Sequence, residues 1–169
     1  MYLKYSKIRD VKNPNRAHIT DAGIDLYIPE FNEKYLNDLC ELNQYQYSID
    51  NGNGNIWLDS NYAINIPSGI ILEVPYGYMA LFLNKSGIAS KKHIVLGSCV
   101  IDSGYSGEIV INLNNIGTDQ QILKCGDKIV QCVLIPISTC QLIEVDQNDL
   151  YKNINNERKD NGFGSTDHK

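Results

Sequence analysis

Residues 100–109, VIDSGYSGEI, set Asp102 and Tyr105 on either side of the pair Ser103-Gly104. The apolar run HIVLGSCVI leads into this stretch and the alternating IVINLNN leads out of it. Ser-Gly between two strand-like runs predicts a hairpin turn, because glycine accepts the positive φ such turns require. A turn there holds its first and fourth residues within about 7 Å, so the spacing brings a carboxylate and a phenol to one tip.

Outward from this tip the chain is mostly strand-like. YAINI, IILEV, YMALFL, HIVL, EIVINL, KIVQCVLIPI and CQLIEV are short, rich in Ile and Val, and parted by turn signals such as Pro67-Ser68-Gly69, Pro75-Tyr76-Gly77 and Gly126-Asp127. Many short strands at this spacing predict an all-β barrel or sandwich. One short helix is expected in EFNEKYLNDLCEL, where Phe31, Tyr35, Leu36 and Leu39 share a helical face. The polar, glycine-bearing NQYQYSIDNGNGN that follows predicts a loop or a disordered insert. The expected organisation is one β domain over residues 1–145, with an insert at about 30–60, and a flexible tail over 146–169.

A length of 169 residues suffices for a real core, and 43% hydrophobic with 21% charged residues is ordinary for a globular protein. A formal charge of −5 argues against direct DNA binding, which needs a broad basic face. No apolar run is long enough to span a bilayer, and the charged N-terminus lacks the apolar stretch of a signal peptide. The five cysteines show no C-x-x-C spacing, and Cys132 and Cys140 lie in apolar runs. They are expected as reduced core thiols of a cytoplasmic protein.

Four further segments carry groups suited to chemistry on an anion. DAGIDLY holds Asp21 and Asp25; NKSGIASKK offers Lys85, Ser86 and Gly87; GDKIVQ offers Gln131; RKDNGFGST supplies Arg158 and Phe163 near the end of the chain. Lys, Arg, Ser, Thr and exposed glycine N–H groups are the donors a phosphate needs. Carboxylates hold waters around Mg²⁺ or act as bases, and a Phe ring stacks on a planar base. Taken singly, each segment is an ordinary turn or strand start.

In this order and spacing, the five segments resemble the motifs of the homotrimeric dUTPase family, and IPSGIILEVPYGYMALFL resembles the stretch before its second motif. The resemblance implies a jelly-roll-like β-barrel of the β-clip type, assembled as a homotrimer with shared active sites. The implied activity is Mg²⁺-assisted hydrolysis of dUTP to dUMP and pyrophosphate. Asp102 would be the base that deprotonates a water attacking the α-phosphorus, and Gln131 would help hold that water. Tyr105 would pack on the deoxyribose and leave no room for a 2′-hydroxyl, while backbone groups of Ser98, Cys99 and Val100 would pair with uracil. Lys85, Ser86 and Gly87 would contact phosphates, and Asp25 would hold waters of Mg²⁺. Arg158 would reach the terminal phosphate, Phe163 would cover the base, and Gly164, Ser165 and Thr166 would close over the triphosphate.

The sequence departs from the family pattern in places. Lys85 stands where Arg is usual, a point charge in place of a bidentate fork. Gly104 stands where a second acid is common, and Lys159, Asp160 and Asn161 replace part of the usual glycine-rich tail. Two rival readings are a dCTP deaminase of the same fold and a viral or phage relative with a protein-binding regulatory role. The histidines show no ligand spacing, Asp21 and Asp127 are expected in turns, and Lys91 and Lys92 on a solvated face.

Overall fold

The computed structural model describes residues 1–44, 48–50 and 55–152. The chain divides into two units, Met1–Ser138 and Thr139–Lys169. Among the described residues the first holds twelve strands and two helices, so the expected all-β architecture is what forms. In chain order these are β1 Lys4–Lys7, β2 Ile24–Tyr27, α1 Glu33–Asn43, β3 Ser48–Asp50, β4 Asn55–Leu58, β5 Ala63–Pro67, β6 Ile70–Glu73 and β7 Tyr78–Asn84. They continue with α2 Ser86–Lys92, β8 Ile94–Leu96, β9 Val100–Asp102, β10 Val110–Asn115, β11 Gln121–Lys124 and β12 Lys128–Pro136.

The strands group into four small antiparallel sheets, ordered β1-β6, β5-β10-β8, β11-β4-β3 and β2-β12-β7-β9. Alternation decides which face each strand buries. In β4, Ile56 and Leu58 are buried while Asn55 and Trp57 are less so, and in β10 Ile111 and Leu113 point inward while Val110, Asn112 and Asn114 do not. Helix α1 forms where its apolar spacing predicts, and the Asn32 side chain caps it by accepting from the Tyr35 N–H at 2.9 Å. Tyr35 and Leu39 are fully buried, each contributing about 2–3 kcal/mol through burial. Asn43 then locks the last turn to β5, donating to the Asn65 carbonyl at 2.9 Å and accepting from the Asn65 N–H at 2.7 Å.

Several expectations are corrected. The turn at Asp102–Tyr105 is real, closed by the Tyr105 N–H on the Asp102 carbonyl at 3.1 Å, but it joins no hairpin and Gly104 has no positive φ. The ribbon is instead β8 against β10, and between them the chain switches sheets so that β9 pairs with β7. Alternation reports a face and not a partner, so the switch was invisible in the sequence. A second helix, α2, replaces the turn expected at Lys85-Ser86-Gly87. Within the expected loop after α1, residues 48–50 form β3, whose backbone pairs with β4.

The second unit carries a further correction. Residues 140–145 form no strand, and Leu142 and Ile143 are exposed, as is Cys140, which is not a core thiol; a single 3₁₀ turn follows at Gln147–Asp149. Cys99 is exposed too, whereas Cys132 is buried as expected. Asp21 and Asp127 do shape turns: Asp21 accepts from the His18 N–H at 2.9 Å, and Asp127 from the Lys124 N–H at 3.1 Å.

Candidate active site

Three segments distant in the chain converge on Asp25. Its carboxylate is only 5% exposed, and it pairs with Lys85 and, at 2.8 Å, with Lys128. A register shift in β12 places Gln131 beside this cluster. Lys128 lies opposite Tyr27, but Val130 lies opposite Leu26, so the bulge between them brings Gln131 opposite Asp25. Without that extra residue Gln131 would face Ile24. The Gln131 amide is fixed by donating from Nε2 to the Asn84 carbonyl at 3.1 Å, next to Lys85. Its Oε1 lies over Gly23, where any Cβ would collide with it. A side chain at this position would have to displace the Gln131 amide.

Burial by itself pulls the Asp25 carboxyl upward, but hydrogen bonds and charge from Lys128 and Lys85 outweigh it and hold its pKa below the ordinary carboxylate value. The unfolded value lies near 3.9. A depressed native pKa means the folded chain resists protonation, so this stabilisation is complete above about pH 4 and is lost as pH falls through the native pKa. Urea midpoints measured downward from pH 5 are expected to drop in wild type, with the Asp25 share of that drop missing in Asp25→Asn. Equal pH slopes in the two proteins would contradict the ion-pair account.

Lys85 is the N-cap position of α2, with Ser86 and Gly87 in its first turn. First-turn N–H groups lack intrahelical acceptors, and a side chain added at Gly87 would meet open space, so this corner can receive an anion. As to Mg²⁺, the described residues contain no cluster of three or more His, Cys, Asp or Glu placed to hold a metal ion. Both Asp25 oxygens are paired with ammonium groups, Oδ1 with Lys85 and Oδ2 with Lys128. Asp25 can therefore face the waters of an ion held by phosphate oxygens only where Lys85 turns to those phosphates, and the set does not fit an all-protein cage.

Asp102 and Tyr105 lie elsewhere on the chain. Asp102 ends β9 opposite Met79, while Gln131 lies opposite Leu83 across the same strand β7. Four residues along β7 and two strand spacings across separate their Cα atoms by about 16 Å. Asp102 is exposed, and Tyr105 is 45% exposed with its hydroxyl donating to the Glu108 carbonyl at 2.7 Å. Its ring covers Gly107, where an added Cβ would come within 2.6 Å of the hydroxyl oxygen. Ser98, Cys99 and Val100 are exposed on the run into β9, and the Cys99 carbonyl already accepts from the Phe82 N–H at 2.7 Å. Among the described residues β9 has one neighbour, β7, so its outer main-chain groups face away from the sheet. Arg158, Phe163, Gly164, Ser165 and Thr166 lie outside the described residues.

The first unit is an all-β body that carries a buried Asp25–lysine cluster beside the N-terminus of α2, and an exposed acid, Asp102, at the rim of β9. The dUTPase family model matches residues 54–167. The deoxyuridine 5′-triphosphate nucleotidohydrolase of Gloeobacter violaceus is 37% identical over 155 residues, 90% of this chain and 87% of the relative. That of Mycolicibacterium vanbaalenii is 30% identical over 161 residues, 94% and 89% of the two chains. Among solved structures, the dUTPase from phage phi11 of S. aureus superposes with a TM-score of 0.68 at 22% identity, covering 89% of this chain and 99% of its own. A Staphylococcus bacteriophage 80alpha dUTPase mutant with dUpNHpp gives 0.72 at 23% identity, covering 97% of each. The chain belongs to the dUTPase family.

Proposed function

We propose that this enzyme is a dUTP diphosphatase that releases dUMP and pyrophosphate. The observation that carries the reading is the convergence of Asp25, Lys85 and Gln131, three motif residues far apart in sequence, on one anion-receiving corner. In the reaction a water oxygen bonds to the α-phosphorus, the bond from that phosphorus to the bridging oxygen breaks, and pyrophosphate departs. Asp102 takes the proton from the water, and Gln131 holds the water in line. Lys85 exchanges its partner Asp25 for phosphate oxygens, joined by Ser86 and Gly87. Mg²⁺, when bound, supplies charge neutralisation on the triphosphate; a phi11 phage dUTPase structure describes the coordination of a structural Mg(II) ion. Asp25 would hold such an ion here through water.

Phosphoryl transfer needs mainly positioning and charge stabilisation, which this residue set can supply. Uracil selection asks for a rigid polar edge, and the outer edge of β9 with Ser98, Cys99 and Val100 supports that role. Tyr105 packs on the deoxyribose. The family resemblance assigns Arg158 to the terminal phosphate, Phe163 to the base, and Gly164, Ser165 and Thr166 to the triphosphate.

The Cα atoms of Asp102 and Gln131 in one chain stand about 16 Å apart on the sheet, a span that favours different copies as the source of the two groups that hold one water. This supports a site shared between copies and an inactive monomer; the resemblance to the homotrimeric dUTPases is what makes the proposed assembly a trimer. A panel of dUTP, dCTP, dTTP and UTP tests the reading, with pyrophosphate expected from dUTP in strong preference to the rest. Ammonia released from dCTP would favour a deaminase instead. Equal rates on dUTP and UTP would remove the sugar-checking role of Tyr105.

A further inference from the structure

Arg9 joins three parts of the fold that the catalytic motifs leave unconnected. Its guanidinium donates to both carboxylate oxygens of Glu108, Nε to Oε1 at 2.7 Å and Nη2 to Oε2 at 2.8 Å. The remaining nitrogen, Nη1, donates to Oδ2 of Asp38 on α1 at 2.6 Å, and the group lies 5.4 Å from the Tyr35 ring centroid. Arg9 and Glu108 side chains are only 15% and 17% exposed, so solvent does little to screen the pair. Glu108 accepts a further hydrogen bond from the Gly69 N–H at 2.7 Å. The Glu108 carboxylate is therefore held by three hydrogen bonds from two partners.

Glu108 is also the residue whose carbonyl receives the Tyr105 hydroxyl. A shift of the Glu108 backbone thus moves the acceptor that sets the phenol's tilt over Gly107. The fork geometry matters here, because a guanidinium fixes the carboxylate plane and an ammonium does not.

We infer that Arg9 is a positioning residue for Tyr105, and that the insert helix α1, through Asp38, braces the loop that checks the sugar of the nucleotide. The chain of contacts runs Asp38, Arg9, Glu108, Tyr105, and ends at the ring that excludes a 2′-hydroxyl. This gives the insert a purpose within the enzyme. The inference rests on the dUTPase reading above.

The test uses the full chain and kcat/KM for dUTP and for UTP. Arg9→Lys is expected to lower the dUTP-over-UTP preference by about tenfold. Asp38→Asn leaves the fork to Glu108 in place, so it keeps the fold, and lowers the preference by about threefold. In a Tyr105→Phe background, Arg9→Lys is expected to change the preference by less than about twofold, because its effect passes through the lost hydroxyl. A merely structural role would lower both substrates together and leave the ratio unmoved. Unchanged ratios in both single variants, or full additivity with Tyr105→Phe, would overturn the inference. Wild type that fails to hydrolyse dUTP at all would instead overturn the functional reading beneath it.

Discussion

Asp102→Asn lowers kcat on dUTP by about three orders of magnitude and leaves the melting temperature near that of wild type. Both halves of this expectation come from the position of the residue. Asp102 is exposed at the end of β9, so an amide there leaves no buried group without a partner. The turn that follows is closed by its backbone carbonyl, which the substitution retains. The amide cannot accept a proton from water, and general-base assistance is worth about 10²–10⁴ in rate. KM is expected to stay within a few-fold because the carboxylate faces the water. Stopped-flow release of pyrophosphate and a thermal melt check the two halves separately. Wild-type turnover in Asp102→Asn would show that another group accepts the proton.

The second large effect is expected at Gln131. Replacing it by Leu removes the amide that Asn84 anchors beside Asp25, and kcat is expected to fall about a hundredfold, the cost of misplacing a reacting group by roughly 1 Å. Gly23→Ala offers a second route to the same defect, since the added methyl would push Oε1 of Gln131 out of its place. Its loss should share the sign of the Gln131→Leu effect and be smaller, because the amide remains present. A normal kcat in Gly23→Ala would mean that Gln131 tolerates displacement, and its assignment to the water would fail. These two variants and Asp102→Asn strike opposite ends of β7.

The parts of the fold legible in the sequence are those specified by local chemistry. Helix α1 declared itself through the spacing of Phe31, Tyr35, Leu36 and Leu39, whereas its cap at Asn32 was seen only in the structure. The strands of Ile and Val around positions 64–72 and 128–136 were equally plain. What stayed hidden depends on partners. Residues 140–145 alternate like a strand yet pair with nothing among the described residues of their unit, and a pattern of apolar residues does not contain its neighbour. Helix α2 is only seven residues long and lacks a side-chain cap, so it carried no start signal.

The candidate site divides along the same line. Asp25, Lys85, Gln131, Asp102 and Tyr105 stand in segments that singly read as ordinary turns or strand starts, and only the order and spacing of the five segments singled them out. The bulge that aligns Gln131 with Asp25 was not readable, because one unpaired residue in a run of β-branched side chains changes no pattern. Arg9 was missed altogether. It is a single cation in a mixed N-terminal stretch, and its partners Asp38 and Glu108 lie 29 and 99 residues away.

The claim that a working site draws Asp102 and Gln131 from different copies is tested most directly by mixing two inactive variants. Asp102→Asn and Gln131→Leu chains, refolded together in equal amounts, should regain about a quarter of wild-type activity, because random assortment pairs an intact Asp102 with an intact Gln131 at about one site in four. A mixture no more active than its two parents would contradict the account.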